Sequence, residues 1–316
     1  MSRLGYPRRT FAIGFADWDD SEHQHADVVA RQFDSQHTNR IVAGGTLGLV
    51  EELMYYYDEP IADISIIPTY VVSQEARRHV RTVLSGEGAD ELFGGYTWHH
   101  EFQESHRRLS WWSRFRDRFA NGHSFGVTRY GEYMAMGRFR TPELRQLLHG
   151  DLAPPPEHNS DWWYRSLHRR DISPLKAIQY LDMKAFMGEL VLTKIDRASM
   201  AHSLEVRVPF LDHEIYEYFG GLHEDVYFRA GCQKPVLQEI LRRQLPPEIL
   251  RRPKRGFVGP DRYYMEIEFY AELLREGALL RDELVRREYV EQLIRERDHW
   301  RLWKIMVFEY WYRRWV

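Results

Sequence analysis

Glu87, Asp90 and Glu91 stand within five positions of one another, directly behind Ser85-Gly86 and directly ahead of the apolar pair Leu92-Phe93. Three acids this close can hold a divalent cation or move a proton, provided the fold brings them to one place. The flanking residues suit that purpose. Val83-Leu84 reads as the end of a short strand, and Ser85-Gly86 then turns the backbone with no bulky side chain in the way, so that main-chain N–H groups can approach an anion. The acids fall at the mouth of a strand-to-helix turn, where open α/β sheets bind ligands. Carboxylates beside a phosphate site repel the ligand unless a cation lies between them, and Mg²⁺, held by one or two carboxylates plus substrate phosphates, fits that position. The competing reading is a solvated turn with Glu91 in a helix cap.

Basic residues further along could serve the same anion. Lys194 and Arg197 lie three apart, so on a helix they share a face and could clamp a polyanion; the alternative is a surface charge pair with Asp196 and Glu205. Lys254 belongs to a basic run whose Gly256 implies a flexible loop, able to close over phosphates or to remain a solvated turn. His23, His25, His99, His100 and His106 have no cysteine or second histidine pair at ligand spacing, which favours solvated or capping roles over a metal cluster.

Stepping outward to the elements that must carry these groups, residues 10–15 are a short apolar run ended by Asp17, Asp19 and Asp20, as expected of a buried parallel strand. A helical spacing of Ala26, Val28, Val29, Ala30 and Phe33 follows, then a second strand over 39–42 and a second helix over 47–57. Asp58-Glu59-Pro60 breaks the pattern before a helix from Ile66 to about Arg78, with Pro68 tolerated in its first turn, and a strand over 80–84. This order implies an α/β fold with a parallel sheet and right-handed crossovers. Beyond Tyr96 the chain reads as helices joined by loops. Ser173-Pro174 caps a helix running to about Leu192, and residues 264–316 look like packing rather than chemistry. The expected division is an α/β part over 1–97 and a helical part over 98–316 that completes a cleft.

With 316 residues the chain is long enough for one large domain or two fused ones, and its net charge of −3 gives no reason to expect a nucleic-acid or membrane-surface partner. A single cysteine, Cys232, rules out an internal disulfide and fits a reducing, cytoplasmic compartment. No stretch approaches the roughly 20 apolar residues a spanning helix needs.

The run SGEGADELFGGY at 85–96 resembles the synthetase-domain signature of glutamine-dependent asparagine synthetases, members of the PP-loop ATP pyrophosphatase superfamily with an adenine nucleotide alpha-hydrolase-like core. A second block, 193–212, resembles the family over about twenty residues, and Gly231-Cys232-Gln233-Lys234-Pro235-Val236-Leu237 and the segment ending Lys254-Arg255-Gly256-Phe257 do so more loosely. The resemblance implies ATP-dependent amide formation: aspartate, ATP and Mg²⁺ give a β-aspartyl-AMP intermediate and pyrophosphate, and ammonia displaces AMP. It implies adenine contacts from Ile13 and Gly14, although Ile13 reads equally as a core strand residue. It implies nucleotide contacts from the backbone of Ser85 and Gly86, a metal on Asp90, and Glu87 at the reacting centre. It also places Arg197 on the pyrophosphate side, Lys234 facing the adenylated intermediate, and Lys194 and Lys254 among the phosphate contacts. Other adenylating amide-formers, such as β-lactam synthetases and lasso-peptide cyclases, are the nearest alternative; Glu87, in place of the tyrosine that β-lactam synthetases use, favours asparagine.

Two departures from that pattern shape the expectations. The family's PP-loop, Ser-Gly-Gly-x-Asp-Ser, is absent ahead of the strand at 10–15, and Met1 is followed by Ser2 rather than by a nucleophilic cysteine. A fragment of a longer reading frame, one half of an enzyme completed by a chain carrying the PP-loop and glutaminase domain, and a non-catalytic scaffold subunit are the three explanations. A partner chain or a homodimer would cover the sheet edge left open.

Overall fold

The computed structural model describes the chain apart from residues 1–4, 6–7, 17, 19–20, 118–124, 135–138, 159–160, 251 and 253–255. Strand β1 (Arg9–Phe15) is followed by helix α1 (His23–Gln32), strand β2 (Gln36–Val42), and helices α2 (Leu49–Tyr56) and α3 (Ile66–Arg77). Strand β3 (Thr82–Leu84) comes next and the short helix α4 (Ala89–Phe93) follows it. β1 and β2 pair in parallel from Arg9 with Gln36 to Phe15 with Val42, and α1 is the crossover between them. β2 starts three residues before the apolar cue at 39, because the Gln36 N–H donates to the Arg8 carbonyl at 2.8 Å and the ladder holds from there. Along β1 exposure falls from Arg9 and Thr10 to the buried Ile13, Gly14 and Phe15, so its carboxyl end is the end set in the core.

α3 keeps Pro68 in its first turn, where the missing N–H has no helical acceptor to lose. The chain then continues through α5 (Thr97–Arg108) into a long helix that does not hold one pitch. It opens as α6 (Pro174–Leu181), with the Ser173 hydroxyl accepting from the Lys176 N–H as the Ser-Pro pair leads one to expect. It widens into a π-helical stretch over Asp182–Val191 and closes as α7 (Leu192–Met200). Such wide turns are frequent at functional sites. Ser203 then takes φ of 57° and the chain enters β4 (Glu205–Arg207), which pairs in parallel with β3 from Thr82–Glu205 to Leu84–Arg207. No strand is legible at β4 in the sequence: one valine between two charged residues carries no apolar run, and only the ladder makes it a strand.

The α/β class expected from the sequence is thus present, as two separate two-stranded parallel sheets. The largest core joins Ile13, Phe15, Val42, Leu53 and Ile66 from the sheet half to Tyr264, Tyr270, Leu302, Trp303 and Met306 near the carboxyl terminus. The last four helices described are α8 (Pro235–Leu241), α9 (Ile267–Arg275), α10 (Arg287–Glu296) and α11 (His299–Trp315), apart from single-turn helices between them. α11 lies on α2 and α9, which makes the terminal segment part of the wall behind the sheets. Among the described residues no helix is long and apolar enough to cross a membrane.

Candidate active site

A cavity of about 2480 Å³ lies between the two sheets, with β1 on one wall, β3 on the other, and the π-helical stretch and the start of α11 closing it. Ser85, Gly86, Glu87 and Asp90 reach it from the turn that follows β3, Ile13 from β1 and Lys194 from α7. Gly14, Arg197 and Lys234 are not among its lining residues, and Lys254 falls outside the described residues.

The turn is built by close approach. Gly88 has φ of +90° at the start of α4, and a Cβ there would lie 2.4 Å from Leu211, so neither the backbone angle nor the space admits another residue. A Cβ at Gly95 would lie 1.9 Å from Asp90 Oδ1, which fixes where that carboxylate can stand. The Ser85 N–H is committed to the Arg207 carbonyl at 2.9 Å as the ladder's last rung. Of the backbone donors expected here, Gly86 is the one left for a ligand.

The fold sorts the three acids into three situations. Glu91 turns into the core, 1 % exposed, and accepts from the Tyr96 hydroxyl at 2.5 Å; burial pushes its carboxyl up to about 7 despite that bond. Asp90 meets the Lys234 ammonium at 3.0 Å. Glu87 keeps Oε2 buried with no hydrogen-bond partner, the kind of orphan that marks a site waiting for a ligand, ion or water. Lys234 itself sits at φ 49°, ψ 54° as the cap of α8, a left-handed conformation that costs a non-glycine residue roughly 1 kcal/mol or more.

Lys194 and Arg197 both turn towards the loop after α2, to different acids. Lys194, 8 % exposed, reaches Asp63 Oδ2 at 3.3 Å and the Ser65 hydroxyl at 2.6 Å. Burial alone would raise the Asp63 carboxyl, but the Lys194 ammonium and two donors from Ser65 hold it below the usual carboxylate range. Arg197 donates to Asp58 at 2.9 Å nearer the surface, with Asp196 3.7 Å away. Ile13 is 4 % exposed, at once a core residue and a cavity wall. At Gly14 a Cβ would meet His23 at 2.5 Å and Ile41 at 2.6 Å, so this glycine serves the contact of β1 with α1 and β2.

Asp63 and Ser65 escaped sequence reasoning, although an acid and a hydroxyl two residues apart just ahead of a helix are a readable signal. Asp182 escaped it too. Fully buried at the start of the π-helical stretch, it binds His99 Nε2 at 2.5 Å and accepts from Trp98 Nε1 at 3.3 Å. The expected solvated or capping role of His99 is therefore corrected: it is 0 % exposed and hydrogen-bonded to a carboxylate.

The family model for asparagine synthase matches residues 1–313. The chain belongs to the asparagine synthase family. A protein of Mycobacterium tuberculosis provisionally named asparagine synthetase (glutamine-hydrolysing) is 30% identical over 96% of this chain and 50% of its own. Asparagine synthetase (glutamine-hydrolysing) 1 of Bacillus subtilis is 27% identical over 96% of this chain and 52% of its own, and the asparagine synthetase (glutamine-hydrolysing) of Mus musculus 26% identical over 81% and 35%. The chain thus spans about half the length of the curated bacterial relatives it matches. Membership of the asparagine synthase family covers the signature turn, the Lys194–Arg197 helix and the Lys234 cap alike, since all lie inside the matched span.

Proposed function

We propose that this chain is the amide-forming part of an ATP-dependent asparagine synthetase. In this reading an oxygen of the aspartate β-carboxylate attacks the α-phosphorus of ATP, pyrophosphate leaves, and ammonia then attacks the acyl carbon of β-aspartyl-AMP and releases AMP. The observation that carries the reading is Glu87, a carboxylate with one buried, unpartnered oxygen, at the carboxyl end of a parallel strand and on the wall of the cavity. A group so placed can take or give the proton that moves when ammonia attacks. In this reading Lys234, held in a costly backbone conformation with its ammonium on Asp90, faces the adenylated intermediate; the strain and the ion pair with a cavity-lining acid support that role.

Mg²⁺ fits Asp90, which lines the cavity, since one or two carboxylates with substrate phosphates are what that ion takes. When bound it would neutralise charge on the leaving pyrophosphate. Lys194, which lines the cavity, supplies further positive charge in this reading, as do Arg197 and Lys254. Ile13, with Gly14 beside it on the same strand, forms the adenine wall.

Among the described residues β1 and β3 each pair with one strand, which supports a further segment of chain, carrying a phosphate loop, as the piece that completes the site; in this reading a separate glutaminase domain is the ammonia source. A second copy of the chain is the other candidate for that place. The lone Cys232 accords with a cytoplasmic setting. A larger acyl group, as in other adenylating amidoligases, is a second reading, favoured by the rings of Trp98, Tyr130, Tyr164 and Phe186 along one end of the cavity.

Calorimetric titration with ATP·Mg²⁺, on this chain alone and with the loop-bearing segment supplied, is the test. Binding after addition, followed by pyrophosphate release that requires aspartate and ammonia, is the expected result. Absence of binding in both states refutes the reading, and release with a larger carboxylic acid in place of aspartate moves it to the second.

A further inference from the structure

Lys304 lies on α11, a segment the sequence reading assigned to packing, yet it lines the cavity together with its neighbours Trp300 and Trp303. The Trp303 indole donates to the Ala62 carbonyl at 2.8 Å, which ties this turn of α11 to the loop that carries Asp63. Burial draws the Lys304 ammonium below the usual lysine range, and Asp63 is the acid that acts against that shift.

Asp63 is already engaged by other donors. Its Oδ1 already accepts from the Ser65 N–H at 2.7 Å and the Ser65 hydroxyl at 2.6 Å, and its Oδ2 from Lys194 at 3.3 Å. No hydrogen bond or ion pair joins Lys304 to any described residue. Two ammonium groups thus stand near one carboxylate, which is bonded to Lys194, and Lys304 keeps its donors for the cavity it lines. Lys304 is half-buried, and a partly desolvated ammonium on a cavity wall is stabilised by an anion. Gly256, Phe257 and Val258 line the same cavity.

We infer that Lys304 is an anion-binding residue of this cavity, receiving phosphate oxygens of the nucleotide. The inference rests on the proposed nucleotide site and adds to it a ligand from the carboxyl-terminal helix.

The chain has six lysines, Lys176, Lys184, Lys194, Lys234, Lys254 and Lys304, few enough for each ¹³C-dimethyl-lysine signal to be assigned by single Lys→Arg variants. Inorganic pyrophosphate, ATP·Mg²⁺ and aspartate are titrated in turn into the chain with the loop-bearing segment supplied. Pyrophosphate is expected to shift the Lys304 signal and raise its titration midpoint, and Lys304→Met to weaken pyrophosphate binding about tenfold or more while Lys304→Arg restores most of it. A Lys304 signal unmoved by saturating pyrophosphate, or one moved by aspartate alone, overturns the inference. If ATP·Mg²⁺ binds while Lys304 stays silent, the nucleotide site stands without it; if no ligand binds, both fall.

Discussion

Glu309 on α11 and Glu87 behind β3 are both carboxylates drawn out of bulk water, one from the helical wall and one from the signature turn. Glu309 is 0 % exposed, and every side of it is met: Ala278 and Leu279 donate their N–H groups to it at 2.6 and 2.9 Å, and Arg313 pairs with it. It works as a cap, closing the first turn of a short helix that has no side chain of its own to do so. Glu87 sits in a turn kept open by glycine, and one of its oxygens meets nothing. The difference teaches how to tell an acid that holds the fold from one that serves a ligand: the first has spent its hydrogen-bonding capacity on the chain, and the second has kept some back.

Substitution should separate the two acids in opposite ways. Glu87→Gln is expected to lower amide formation in the completed enzyme by about 10²–10⁴-fold, measured as pyrophosphate release, with no loss in the denaturation midpoint. Unchanged turnover would remove Glu87 from the chemistry. For Glu309→Ala the expectation is reversed: two amide donors and a guanidinium lose their acceptor, at a cost of about 3 kcal/mol in urea unfolding. Loss of ligand binding without loss of stability in that variant would break the comparison.

How much of this was legible in the sequence differs between the same two regions. The turn announces itself, because a glycine-flanked run of acids behind an apolar pair has few structural uses, and β1, α1, α2 and α3 follow from periodicity to within a few residues. The pairings do not announce themselves. Lys194 and Arg197 share a helix face, but which acids they meet depends on how the Asp58–Asp63 loop is folded back, more than 130 positions away in the chain. The π-helical stretch over Asp182–Val191 is likewise silent in the sequence, since its apolar spacing also suits an ordinary helix. Glu309 and Lys304 both lie in the segment whose sequence reads as packing, and only the partners of one and the solitude of the other distinguish them.

Glu91 sharpens the comparison by standing between the two cases, an acid of the signature turn that is nonetheless spent on the chain. Its carboxyl is raised from 4.5 to about 7, so between those values the folded protein keeps a proton that the unfolded chain has released. The stabilisation is complete below about pH 4.5, declines as pH rises, and is gone above about 7, a span of about 3 kcal/mol. Asp63, lowered rather than raised, contributes with the opposite sign and below that window, as pH falls through the ordinary carboxylate range. Thermal melts from pH 5 to 7 should therefore show a falling midpoint in the natural chain and a flatter profile in Glu91→Gln. An equal slope in both would mean that Glu91 is already ionised in the folded state.

The smallest expected effect lies at Lys234, where backbone and side chain can be set against each other. A left-handed conformation costs a residue with a Cβ about 1 kcal/mol, and glycine escapes that cost. Lys234→Gly should match or slightly exceed the natural chain in stability, whereas Lys234→Ala, which keeps the strain and loses the contact with Asp90, should fall about 1 kcal/mol below the glycine variant. Both should lose turnover alike in the completed enzyme, because both lack the ammonium. That pattern is what a functional position predicts: strain that the sequence could remove with one glycine is kept, and the reason for keeping it is the side chain. If Lys234→Gly were as active as the natural chain, the contact with Asp90 would be a surface ion pair, and the left-handed backbone would then serve only the start of α8.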